Sequence, residues 1–503
     1  MKSGESTTLT PLGERVFWRW VLFLLLLVQG LMMWRWVGAY AGGGDSSGYL
    51  NSARLLSEGR LFEPMRGFPE LRGQEFGSYA MVPLGLNPTH GDQLVPTYPT
   101  GLPLFLALAG KVFGWDRGPD VLMVLFTIAA TAAMYALGRQ AGLSRLLALL
   151  GALALGTCPL EVFSGGYLMS DVPATLWGML VILATVRARS GRGWAWDCVA
   201  GLAFGLGVLT RPTNLLLLPA AGLLLGLGWR RWLRFLLGGL PAGLFFLVYN
   251  QLAYGFALST GYGNDLGLFE SAALWPTFLH YLLWLPVLLS PCLLLALVPA
   301  RRVDEDPSWS WVILAWVLPL LAFYLSYHHT RESWWYMRFV LPAFPAFILG
   351  MMLGLRRVQD AAPGGGRHWV PVVVFVLVLL PWNLVSCRLL KATTIGNGEG
   401  VYLSSTRMAV PLIPRNAVVL CMQSSGALFF YTDLSILRYE QFPRKAAALA
   451  SASFAASGRP MYAVLHDFEI PLVLEGGWGE HWTRIATLRH VSVWRLDRGA
   501  GNH

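Results

Sequence analysis

The sequence predicts an all-α polytopic membrane protein with a small α/β domain at its C-terminal end. Three observations predict it. Apolar residues fill 55% of the 503 positions and charged residues only 13%, against ~25% charged in a soluble chain. Apolar runs long enough for helical spans recur from residue 16 to residue 388, and composition then changes abruptly. Mean hydropathy is +0.51. The net charge of +10 is no nucleic-acid footprint, because Lys and Arg cluster in short loops between apolar runs, where they orient a membrane protein.

The first run, 16–38, is too long for a signal-peptide core and lacks a small-residue cleavage site, so it reads as an uncleaved span. A span needs ~20 apolar residues to cross ~30 Å. Ten further candidates follow at 119–138, 146–163, 172–187, 197–210, 213–228, 235–252, 276–299, 309–327, 338–355 and 369–388. Arg15 and Arg19 put the N-terminus in the cytoplasm. Alternation then brings Arg139/Arg145, Arg187/Arg189/Arg192, Arg230/Arg231/Arg234, Arg301/Arg302 and Arg356/Arg357/Arg367 to that same side. The agreement requires that Leu102–Phe113 not cross. As a helix it rises only ~18 Å, so it is expected to be a juxtamembrane or half-inserted helix on the outer side. The expectation is about 11 transmembrane helices, N-terminus in and C-terminus out.

Two regions stand outside that pattern. Residues 1–388 form the transmembrane domain, within which 39–118 is a long first external loop rich in Gly, Pro and aromatics. Residues 389–503 form an extracytoplasmic α/β domain, with strands expected at Asn416–Met422, Pro460–His466, Arg484–Leu488 and Val491–Arg495 and a helix at Arg444–Ala456. No fixed-period repeat occurs, which counts against a transporter built from repeated halves. The five cysteines show neither CxxC nor Cys/His ligand spacing, so neither a zinc site nor a disulfide framework is indicated.

Asp45 closes the run Gly42-Gly43-Gly44 where the first span ends. Four segments recur with it in order: Gly44-Asp45-Ser46-Ser47-Gly48-Tyr49-Leu50, Tyr98-Pro99-Thr100-Gly101-Leu102-Pro103, Leu168-Met169-Ser170-Asp171-Val172-Pro173, and Leu209-Thr210-Arg211-Pro212-Thr213. Tyr249-Asn250, Thr260-Gly261-Tyr262-Gly263 and Arg338-Phe339-Val340-Leu341-Pro342 follow. Over residues 16–390 this arrangement resembles the GT-C glycosyltransferases. It is most similar to their bacterial PMT-like branch, which includes relatives of protein O-mannosyltransferases and enzymes adding aminoarabinose or galacturonic acid to lipid A and lipopolysaccharide core.

The resemblance implies a multi-pass enzyme of the bacterial inner membrane. It would move one sugar from a polyprenyl-phosphate donor to an acceptor hydroxyl on the outer face, inverting the anomeric centre. In such enzymes a carboxylate of the first external loop is the general base, and Asp45 matches that position. The residues alone leave a helix-cap role for Asp45 open. Asp171 matches an acidic residue contacting the acceptor or a cation, and it also suits a helix N-terminus with Pro173 close behind. Arg211 and Arg338 are candidate clamps for the donor phosphate, with snorkelling to headgroups as the alternative. Tyr49, Tyr98 and Tyr262 are candidates for lining the sugar or acceptor site.

The pair His328-His329 is expected to pack in an aromatic belt rather than bind metal, and the loop 255–268, with Asn264 and Asp265, either gates donor entry or merely connects. In the tail, the acids of Leu465-His466-Asp467-Phe468-Glu469 most simply cap a following helix. No cofactor is required by any motif, and a divalent cation stays open. The expected partners are membrane lipid, the lipid-linked sugar and a glycan, glycolipid or protein acceptor. The competing class is a flippase or transporter of lipid-linked sugar, against which stands the apolar character of most spans.

Overall fold

The computed structural model describes residues 11–191, 193–263, 265–299, 308–362 and 367–497. Asn264, Arg192, Arg301 and Arg302 lie outside the described residues, as do the side chains of Asp265 and Arg367. Among the described residues seven helices are long and apolar enough to cross a membrane: Gly13–Trp36, Gly118–Gln140, Asp171–Arg189, Trp229–Tyr254, Ser271–Leu289, Trp334–Ala361 and Val370–Leu389. The protein is an integral membrane protein.

The expected count of eleven is refined by length. The segment expected at 146–163 is two helices, Arg145–Gly156 and Pro159–Gly165, bent by 58°. Pro159 supplies the break, since it cannot donate into the preceding turn. The segments expected at 197–210, 213–228 and 309–327 are the shorter apolar helices Ala195–Thr210, Pro212–Leu225 and Trp309–Leu325. Gly101–Phe113, expected not to cross, is likewise short and packs on the helices Asp45–Ser57 and Gly118–Gln140. Asp171–Arg189 and Trp334–Ala361 are the interior helices, 78% and 83% buried over their most apolar stretch, whereas Gly13–Trp36 is 11% buried there. A helix apolar all round belongs inside a bundle, and these two carry Asp171 and Arg338.

The first loop builds its own antiparallel sheet from β1 (Glu63–Pro64), β2 (Leu86–Thr89) and β3 (Gln93–Pro96), ordered β1-β3-β2. No strand was expected there. The C-terminal sheet holds β4 (Val418–Leu420), β5 (Ser435–Leu437), β6 (Met461–His466), β7 (Trp482–Leu488) and β8 (Val491–Leu496) in the order β5-β4-β6-β8-β7. Strand β4 is parallel to both neighbours and wholly buried, hence its unbroken apolar run. The crossovers use Ser425–Tyr431 and Arg444–Ala456. Glu469 does not cap the helix after it. Its carboxylate accepts from the backbone N–H of Met422, Gln423 and His466 at 3.1, 3.1 and 2.8 Å and from the Tyr439 hydroxyl at 3.2 Å, tying three loops together.

The two non-membrane regions share one core. Phe68, Leu71 and Ala80 of the loop pack with Phe442, Phe454 and Trp478 of the C-terminal region. Arg438 N–H donates to the Ala80 carbonyl at 2.7 Å and Gly77 N–H to that of Gln441 at 2.8 Å. Arg66 caps the carbonyls of Thr432 and Leu434 at 2.7 and 3.0 Å.

Candidate active site

Three interruptions of helical structure meet where the bundle adjoins this combined loop-and-tail unit. The first is the glycine turn before Asp45. Gly43 has φ +51°, a conformation glycine adopts without the Cβ clash other residues suffer. The helix Asp45–Ser57 begins after Gly44, with no side-chain cap, so the cap alternative for Asp45 fails. Its Oδ2 instead accepts from Arg338 Nη2 at 3.0 Å.

The second interruption follows the helix Ala195–Thr210. Arg211 is extended, φ −152° and ψ 112°, ahead of Pro212, because a residue before proline is disfavoured in helix. The chain turns off the helix axis, and the Arg211 guanidinium reaches the Asp171 carboxylate, to which it donates. Asp171 begins its own helix, again without a side-chain cap from the preceding Ser170.

The third is the 3₁₀ stretch Trp334–Ala343, with Pro342 inside it, which precedes the interior helix Phe344–Ala361. Side chains three apart eclipse in this geometry, and Tyr336 and Phe339 stack at 5.7 Å. The Phe339 ring lies 5.3 Å from the guanidinium carbon of both Arg211 and Arg338. Arg338 Nη1 also donates to Tyr167 Oη at 3.2 Å and approaches Met169 Sδ at 3.0 Å. Its Nε is buried without a partner.

Tyr49 donates to Ser170 Oγ at 2.9 Å, and its ring centroid is 5.1 Å from that of Tyr98, which in turn is 5.9 Å from that of Tyr262. Burial, then the charge of Asp45 and the hydrogen bond to it, push the Tyr98 hydroxyl well above its ordinary range. It therefore stays a donor to that carboxylate. Asp45, Tyr49, Tyr98, Asp171, Arg211, Tyr262 and Arg338 all line one cavity of ≈ 1110 Å³. Sequence reasoning missed Ser170, Tyr324 and Asn87 on the same wall. Ser170 stands inside a quoted motif and was legible, whereas Tyr324 sits in an unbroken apolar run that gives no signal.

His329 lines the rim, 2.6 Å from Glu332, and His328 lies 3.3 Å from Glu270. Among the described residues no group of three or more His, Cys, Asp or Glu is arranged to hold a metal ion. Asp45 and Asp171 each face a guanidinium rather than a second carboxylate. Glu399 of the helix Ile395–Ala409 lies beside the glycine turn, outside the cavity lining. A Cβ on Gly42 would lie 1.9 Å from its Oε2. Burial and the nearby charge of Asp45 push its carboxyl up to about 7.

The same architecture occurs in the crystal structure of ArnT from Cupriavidus metallidurans bound to undecaprenyl phosphate. That structure aligns with a TM-score of 0.57 over 97% of this chain and 99% of its own, at 13% identity. The chain has the GT-C glycosyltransferase fold. The same GT-C frame covers 95% of this chain and 42% of the arabinofuranosyltransferase AftD from Mycobacteria, with a TM-score of 0.55 and 13% identity. Residues 98–252 match the family described as dolichyl-phosphate-mannose-protein mannosyltransferase. A curated relative, the undecaprenyl phosphate-alpha-4-amino-4-deoxy-L-arabinose arabinosyl transferase of Enterobacter sp. (strain 638), is 24% identical over 320 residues. The match spans about half of each protein, 55% of this chain and 54% of the relative.

Proposed function

We propose that this chain is a membrane glycosyltransferase that moves a single sugar from a polyprenyl-phosphate carrier to an acceptor hydroxyl on the outer face. The observation that carries the reading is the single cavity holding Asp45, Asp171, Arg211 and Arg338 among three tyrosines at the edge of the bundle. Both the Cupriavidus structure bound to undecaprenyl phosphate and the Enterobacter relative support a polyprenyl-phosphate carrier. A flippase needs a route through the bundle, whereas the charged groups here gather at one end of it.

In this reading Asp45 takes the proton of the acceptor hydroxyl as that oxygen attacks the anomeric carbon. The bond from that carbon to the phosphate oxygen breaks, and its electron pair leaves on the polyprenyl phosphate. Attack opposite the leaving group inverts the centre. Charge builds on the phosphate as the bond breaks, so a fixed guanidinium stabilises the transition state more than the ground state. The tyrosine faces suit a sugar ring, and Asp171 holds Arg211 at the wall.

Asp45→Asn keeps the shape and removes the base. Sugar transfer is expected to fall by about 10²–10⁴, measured as labelled sugar passing from polyprenyl phosphate to acceptor with protein level and melting temperature held as controls. Transfer at the parent rate would refute the assignment.

A further inference from the structure

The two arginines of the cavity are not equivalent. Arg211 is paired with an aspartate that is 2% exposed, whereas Arg338 is paired with Asp45, which is 32% exposed. In the first pair the carboxylate is packed into the wall. The second opens onto the cavity, and it joins the candidate base to a candidate phosphate clamp. Each oxygen of the base is wanted by the acceptor hydroxyl, and each N–H of the clamp by the phosphate. The Oδ2 and the Nη2 that hold one another are taken while the pair stands.

We propose that the Asp45–Arg338 ion pair is a latch that the carrier phosphate opens. The phosphate draws Arg338 from Asp45, so the base is exposed only when the donor is seated. This rests on the transferase reading above and adds an order to it: carrier first, acceptor second. Three features of Arg338 fit exchange. Its Nε is buried with no acceptor. Its Nη1 spends its hydrogen bonds on a phenol and a thioether sulfur, weak partners beside a phosphate. The Phe339 ring, 5.3 Å away, holds the guanidinium beside the cavity through the exchange. Two arginines against two aspartates leave the empty site with no net charge from these four groups. A phosphate entering the site therefore competes with a carboxylate for its guanidinium. Asp45, the more exposed of the two carboxylates, is the one that can give way.

The proposal predicts an unusual combination. Asp45→Asn, inactive by the transferase reading, should bind a polyprenyl monophosphate more tightly than the parent, by roughly tenfold, since a carboxylate competing for a charged hydrogen bond is gone. Binding is measured on the full-length protein in nanodiscs, and Asp45→Ser is the second variant should Asn not fold. The gain should vanish in an Arg338→Gln background, which completes a double-mutant cycle. An inactive Asp45→Asn with parent affinity overturns the latch and leaves the base intact. An active Asp45→Asn overturns the base, whatever its affinity. A gain that persists without Arg338 overturns the latch. Inorganic phosphate is the second probe, and a gain seen with it but not with the lipid overturns the carrier as the key.

Discussion

Asp171 and Asp45 carry the same charge and the same kind of partner, yet burial gives them different duties. Asp171 is 2% exposed and its Arg211 12%. Removing one member of such a pair strands the other charge in a poor solvent, at a cost of about 3–5 kcal/mol when fully buried. Asp171→Asn should therefore lower the melting temperature markedly, with a loss nearer 3 kcal/mol because Arg211 still reaches the cavity. Asp45→Asn should shift it less, since Asp45 is 32% exposed against 2% for Asp171, although Arg338 and Arg211 are equally buried, each 12% exposed. Thermal melting in one detergent checks both variants together. Equal shifts would show that the two pairs share a single structural role.

Asp45 itself was legible in the sequence, because three glycines before an acid at the end of an apolar run mark a site of close approach. Its partner was not. Charge in the loops predicts which side of the membrane a residue occupies, and that expectation put Arg338 and Arg211 on the same face without saying which aspartate each would hold. The choice depends on where Pro212 and Pro342 turn their segments, and a turn angle cannot be read from a proline alone. Glu399 gave no signal, being one acid in a polar stretch of the tail.

Among the elements, the helix Asp45–Ser57 is seated by glycines rather than by a cap. A Cβ on Gly48 would stand 2.4 Å from the Tyr98 ring and 2.9 Å from the Gly85 carbonyl. Gly85 has φ +87° and cannot readily move aside. Gly48→Ala should therefore push Tyr98 off Asp45 and cost about 1–3 kcal/mol of overpacking. Transfer activity should drop more than stability does, which a comparison of turnover with melting temperature will read. Unchanged turnover would remove Tyr98 from the site. The apolar segments of the bundle were all visible as hydropathy. The length of each helix was less so, since Pro159 divides a stretch that looks continuous. The three short strands of the first loop were hidden because Gly and Pro interrupt any period of two over 63–96.

The molecule as a whole joins its first loop to its tail, and pH should expose the joint. Glu399 of the tail stands against Gly42 of the loop with its carboxyl raised to about 7 from 4.5. The fold thus prefers the neutral acid. Its contribution is full below about pH 4.5 and is lost as pH rises through about 7, by up to about 3 kcal/mol. Glu399→Gln should melt higher than the parent at pH 8 and no higher at pH 4.5. A gain that is the same at both values would count against a buried acid.

The shared core has a further implication for how the chain is made. Phe68, Leu71 and Ala80 must wait for partners more than 350 residues away in the sequence. At ~5–20 residues per second, that delay is on the order of tens of seconds, during which every intervening membrane helix is inserted. An aromatic surface rich in glycine stays uncovered for that whole interval. Synthesis of the tail, rather than insertion of the last span, is then the step that covers this surface.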